Sequence, residues 1–120
     1  MNNYNYDENC IFCKIVAKEI PATIIYEDDL VIAFDDLNPQ APIHKLIIPK
    51  THIATINDLK EDEKLLIGHM LYAAKELAHE LNIADNGYRT LFNCNRAGGQ
   101  EVYHIHLHLL GGRNMQWPPG

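Results

Sequence analysis

Between positions 102 and 110 the chain reads Val-Tyr-His-Ile-His-Leu-His-Leu-Leu, three histidines alternating with apolar residues. Alternation of this kind predicts a strand over 102–110 with two unlike faces. A period of two puts His104, His106 and His108 on one side and Ile105, Leu107 and Leu109 on the other. The apolar side needs a core against it, which leaves the histidine side for chemistry. At about 3.3 Å per residue, neighbouring histidines start about 6.6 Å apart. Two imidazoliums at roughly 7 Å repel by about 2.4 kcal/mol at an effective dielectric near 20, so the row does not protonate fully near neutral pH. A neutral imidazole offers a nucleophile or base, and a protonated neighbour can grip a phosphate or supply a proton. That mixture suits phosphoryl or nucleotidyl transfer. A polar strand face without a task is the plain alternative. One metal taking all three histidines would require a bent strand. The outer pair lie about 13 Å apart when it is straight, against zinc bonds of about 2 Å.

The rest of the chain must then supply a core and a sheet. With 120 residues it has the size of one domain. The expected organisation is a flexible polar arm over 1–9 and a single domain over 10–120, tail included. Apolar runs such as Leu46-Ile-Ile48 are cut by charge or proline long before a membrane span, and the first nine residues lack the features of a secretory signal. Three cysteines argue against a disulfide framework and for a reducing compartment, cytoplasmic with the nucleus as the alternative. A net charge of −6 and the lack of a dense Lys/Arg block exclude nucleic acid as the expected partner. A small phosphate-bearing ligand remains compatible with a few local donors.

Ile11, Phe12, Ile15 and Val16 have helical spacing, and Pro21 is the expected stop. β-Branched and aromatic runs over 23–26 and 30–34, separated by Glu27-Asp-Asp29, predict a hairpin. The segment 38–42 carries two prolines and predicts a loop, followed by a strand over 45–48 ending at Pro49. Leu66, Met70, Ala73, Leu77 and Leu81 mark one face of a long helix over 61–81, for which Asp58 and Glu61 form the expected capping pair. Asp85-Asn-Gly87 predicts a turn before a strand over 88–92. The fold class is therefore α+β: an antiparallel sheet of about five strands with one long and one short helix.

Two further features bear on a site. The loop 93–100 holds Gly98 and Gly99, small enough to let a ligand approach backbone N–H donors, although a glycine pair commonly serves only a turn. Cys10 and Cys13 have the two-residue gap by which paired thiolates hold zinc, and His52 and His104 can complete a Cys2His2 set. Two ordinary reduced thiols near a helix start are the alternative reading.

The motif His104-Ile-His-Leu-His-Leu-Leu110 closely resembles the signature of the histidine-triad superfamily, and in particular its nucleotide-binding branch. Ile11-Phe-Cys-Lys-Ile15, Lys18-Glu-Ile-Pro-Ala22, Asn38-Pro-Gln-Ala-Pro42, Gly98-Gly-Gln100 and Leu110-Gly-Gly-Arg113 extend the likeness over most of the chain. The resemblance implies a homodimer whose sheets join into one. It also implies hydrolysis of purine nucleoside phosphoramidates or acyl-adenylates through a nucleotidyl-histidine, with no cofactor required for catalysis. It further assigns His106 as nucleophile, His108 as the residue that touches phosphate and helps protonate the leaving amine, and His44 as a supporting residue. By the same implication Asp36 holds the ribose, and Phe12, Ile20, Phe34 and Leu37 enclose the purine. Asn93, Gly99 and Gln100 approach phosphate and ribose, and Trp117 shapes the leaving-group pocket of a second subunit. Cys10, Cys13, His52 and His104 match the zinc-bearing members. Glu101 departs from the best-known animal pattern, which has a phosphate-contacting serine there; an anionic side chain is expected to point away or to weaken that contact, and Glu101 is left out of the site.

Overall fold

A computed structural model describes residues 4–120. The five strands β1 (Ile24–Glu27), β2 (Val31–Asp35), β3 (Ile43–Pro49), β4 (Tyr88–Leu91) and β5 (Leu107–Gly111) form one antiparallel sheet in the order β1-β2-β3-β5-β4. The helices are α1 (Ile11–Val16) and α2 (Lys64–Glu80). The α+β reading holds, with the hairpin, the third strand and the long helix close to their expected places. No helix among the described residues is long and apolar enough to cross a membrane.

Alternation along the strands sorts side chains onto two covered faces. Val31, Ala33, Ile47, Leu107 and Leu109 pack with Met70, Ala74 and Leu77 of α2. Ile32, Phe34, Leu46 and Ile48 face the other way and pack with Phe12, Cys13 and Ile15 of α1. Burial on both faces explains why Val31-Ile-Ala-Phe34 is apolar throughout instead of alternating. The short helix α1 leaves part of its sheet face uncovered, and the site forms there.

Three expectations change. The last strand begins at Leu107, so His104 and His106 lie in the extended segment before it. That segment leaves the sheet because His104 turns into a buried side-chain cluster and Ile105 N–H bonds to Ile53 O, outside the ladder. Helix α1 ends at Val16, not at Pro21: Lys18 takes a left-handed conformation with φ 64°, which closes the helix first. Asp58 does not cap α2. Its carboxylate accepts from Thr55 N–H, a reciprocal cap on the 3₁₀ turn Ile56–Asp58, and a second 3₁₀ turn, Glu61–Glu63, leads into α2. Within the arm expected over 1–9, the described residues make bonds to the domain. Asn5 N–H donates to Thr51, Asn5 O accepts from His52 N–H, and Asp7 N–H reaches Cys13 Sγ; residues 1–3 lie outside the described residues.

Candidate active site and metal cluster

Strand register brings the first pair together. His44 lies opposite Leu110 and Leu46 opposite His108, so His44 and His108 are diagonal neighbours on the α1 face. Their rings meet with His44 Nε2 2.9 Å from His108 Nδ1. Asp36, just past the end of β2, bonds its N–H to His44 O and brings its carboxylate to 3.4 Å from His44 Nε2. His106 sits beside His108 with ring centroids 4.9 Å apart and packs edge-on against Phe12 at 5.2 Å.

The hydrogen-bond partners fix each tautomer. Gln40 N–H donates to His44 Nδ1, so a neutral His44 carries its proton on Nε2 and donates it to His108 Nδ1. His108 must then carry its proton on Nε2, and among the described residues this Nε2 is the buried side-chain polar atom without a partner. His106 Nδ1–H donates to His104 O at 2.8 Å, which leaves His106 Nε2 unprotonated. The pair therefore presents a nitrogen lone pair and an unspent N–H side by side.

Burial keeps these rings neutral. It pushes His108 down to about 4 and lowers His106 and His44 below their ordinary value, with neighbouring charges as the smaller influence. The expected direction is right, but desolvation and not mutual repulsion is the main cause, and the donor beside His106 is a neutral imidazole instead of an imidazolium. A stability consequence follows. Because His44 and His108 take up protons less readily folded than unfolded, the unfolded chain binds more protons between about pH 6.5 and 4. Stability is thus lost as pH falls through that window, by on the order of 1–3 kcal/mol after allowance for partial exposure. Urea titrations at pH 7 and pH 4.5 check this, and equal slopes and midpoints for wild type and His108→Gln across the two would refute it.

His106 and His108 open onto a cavity of about 240 Å³ whose walls include Phe12, Ile20, Phe34, Asp36 and Leu37. Phe12 and Phe34 meet edge to face at 5.4 Å. Seven of the expected residues are thereby gathered, and His44 stands one ring behind them. Asn93, Gly99, Gln100 and Trp117 are not in the lining. Gln100 is buried and turned into its own loop, its side-chain amide donating to Ala54 O and Val102 O and accepting from Asn95 N–H. The turn itself demands one of the loop glycines, since a Cβ at Gly98 would fall 2.6 Å from Cys94 O. Trp117 is 83% exposed on the tail. The sequence reading left out Glu101 and Val102, which do line the cavity. Their place directly before the histidine row was the available signal. A more open groove of about 520 Å³ lies elsewhere, around Arg89 and Arg113, but no histidine, cysteine or carboxylate lines it. Both arginines donate to backbone carbonyls.

A second cluster lies behind the first. Cys10, Cys13, His52 and His104 bring their ligand atoms within 4.8 Å of one another. His104 Nδ1 lies 3.4 Å from Cys10 Sγ, 3.6 Å from Cys13 Sγ and 3.2 Å from His52 Nδ1, and Cys13 Sγ lies 3.3 Å from His52 Nδ1. A tetrahedral zinc with Zn–N of about 2.05 Å and Zn–S of about 2.3 Å has N–N edges of about 3.35 Å and S–N edges of about 3.55 Å. The observed separations sit close to those edges. His104 Nε2–H also donates to Pro49 O at 2.8 Å, the outer bond that fixes Nδ1 as the free ligand atom. Burial pushes the Cys13 thiol up to about 11, a proton that a metal would displace. Asp36, His44 and His108 also converge, but Gln40 N–H occupies His44 Nδ1, so His44 Nε2 holds a proton and offers no lone pair. The first set fits zinc and the second does not.

An α+β sheet carrying alternating histidines at the mouth of an aromatic cavity is the arrangement of the histidine-triad proteins. The comparisons agree: the HIT domain family matches residues 17–115. A purine nucleoside phosphoramidase from Escherichia coli is 54% identical over 108 residues, 90% of this chain and 91% of that protein. A HIT family hydrolase from Legionella pneumophila superposes with TM-score 0.92 at 60% identity, covering 93% of this chain and all of that one. One from Clostridium thermocellum superposes with TM-score 0.89 at 50% identity, over 92% and 96% of the two chains. The chain belongs to the HIT family, and it is a hydrolase.

Proposed function

We propose that this hydrolase is a purine nucleoside phosphoramidase, cleaving the P–N bond of adenosine 5′-phosphoramidates, and the P–O bond of related acyl-adenylates, through a covalent nucleotidyl-histidine. The observation that carries the reading is the pairing, at one apolar cavity, of an unprotonated His106 Nε2 with the unpartnered Nε2–H of His108. An orphaned buried donor costs about 1–3 kcal/mol and is retained where a ligand oxygen satisfies it.

Phe12, Ile20, Phe34 and Leu37 enclose the purine, and the Asp36 carboxylate takes the ribose hydroxyls. His106 Nε2 attacks phosphorus, forming an N–P bond as the substrate's own P–N bond breaks. His108 Nε2–H donates to a phosphoryl oxygen, where charge grows in the transition state. The bound anion raises the proton affinity of the His108–His44 pair, and a proton taken up with the substrate departs on the amine. Water then attacks phosphorus and breaks the His106–P bond. It releases the nucleoside monophosphate and one proton, which balances the one taken up. These steps use side chains and water alone.

Cys10, Cys13, His52 and His104 would hold a structural zinc that ties the N-terminal segment to the catalytic one. The open edge of β4 supports a homodimer with a continuous sheet, and the exposed Trp117 tail is then free to reach the second site. A reducing cytoplasm suits the three free cysteines. Release of AMP from adenosine 5′-phosphoramidate, with sedimentation of the same preparation as a dimer, is the expected result. No release with retained AMP binding would leave a nucleotide-binding regulatory or scaffold protein. Faster cleavage of a dinucleoside polyphosphate would reassign the substrate.

A further inference from the structure

We propose that Glu101 selects the leaving group, favouring substrates whose departing amine carries a positive charge. The inference rests on the phosphoramidase reading and names the substrate class within it.

Glu101 lines the same cavity as His106 and His108, and it does so from the segment entering the histidine row. No lysine or arginine lines that cavity, and its ionisable members besides the histidines are Asp35, Asp36 and Glu101. A phosphate-processing site usually compensates the phosphate with cationic side chains. Here compensation must come from neutral N–H donors and from the substrate itself. Asp36 is engaged with His44 and with Asn38 N–H, and Asp35 forms an ion pair with Lys45 at 2.5 Å. Glu101 has no such cationic partner within the cavity and is exposed.

A second cavity, of about 290 Å³, meets the first at Ile11, Glu101 and Val102, which line both. It runs toward Asp7, Asn9, Cys10, His52 and Tyr103, with the Asp7 carboxylate 3.9 Å from His52 Nε2. With the base among the phenylalanines and phosphorus beside His106, this cavity is the space left for the amine. Carboxylate, amide and aromatic ring are the groups that receive an ammonium. A neutral amine of equal length gains only the apolar contacts, and an anionic leaving group is repelled.

The test compares two adenosine 5′-phosphoramidates of matched length, one of butylamine and one of 1,4-diaminobutane. Wild type should show a kcat/KM higher for the diamine by about two- to fivefold, the range of an ion pair in an exposed cleft. That advantage should shrink between about 50 mM and 500 mM salt. Glu101→Gln should bring the ratio close to one, and Glu101→Asp should retain part of it. A wild-type ratio near one, or a ratio that survives Glu101→Gln, overturns the assignment of Glu101. Cleavage of neither compound by wild type overturns instead the phosphoramidase reading beneath it.

Discussion

His106→Asn is expected to fold normally and to lose hydrolysis of an adenosine tryptamine phosphoramidate by about 10⁴-fold or more, the scale on which a nucleophile's removal is felt. The side-chain amide of asparagine can still donate toward His104 O, replacing the bond that His106 Nδ1–H makes at 2.8 Å, so the nearly buried position keeps a satisfied polar group. What it cannot supply is the basic lone pair at the far edge of the ring. Nucleotide binding should survive, because the aromatic walls and Asp36 are untouched. Steady-state turnover, with circular dichroism and AMP titration as controls, reads the result. A variant within about tenfold of wild type would remove His106 from the nucleophile's role.

Purified without chelator or metal resin, the protein should contain about one zinc per chain, and stripping it should lower the melting temperature by roughly 10–20 °C. A ligand present at about a thousandfold its Kd stabilises by about 4 kcal/mol, and for a chain of this size each kcal/mol moves Tm by several degrees. The same stripping should slow turnover. His104 offers Nδ1 to the cluster while its carbonyl holds His106 Nδ1–H, so loosening one ring loosens the His106 ring two residues on. Cys13→Ser should reproduce both losses. Elemental analysis and calorimetry decide: metal near zero with an unchanged melting curve in chelator would return Cys10 and Cys13 to ordinary buried thiols.

Much of this was legible because periodicity reports burial. The stripe from Leu66 to Leu81 gives α2, and the alternation of Ile105, Leu107 and Leu109 gives the core side of the histidine row. The spacing of Cys10 and Cys13 marked half of the Cys/His cluster, though only the fold brings His52 and His104 to them. What stayed hidden depends on partners distant in sequence. Nothing local shows that the last strand begins only at Leu107, or that Gln40 N–H sets the tautomer of His44 and, through it, that of His108. Asp58 matched a helix-capping spacing, but Thr55, three residues earlier, claimed its carboxylate. Gln100 has the polarity of a ligand contact, yet backbone groups of Asn95, Val102 and the distant Ala54 use up its hydrogen bonds.

The central claim is a covalent bond between His106 Nε2 and phosphorus. Mass spectrometry of protein quenched in acid during turnover of an adenosine phosphoramidate measures it most directly. The account predicts a fraction of chains heavier by one adenylyl group, with the adduct on the peptide containing His106 and none on His106→Asn. Rapid turnover with no adduct at any quench time, or an adduct confined to another residue, would contradict it.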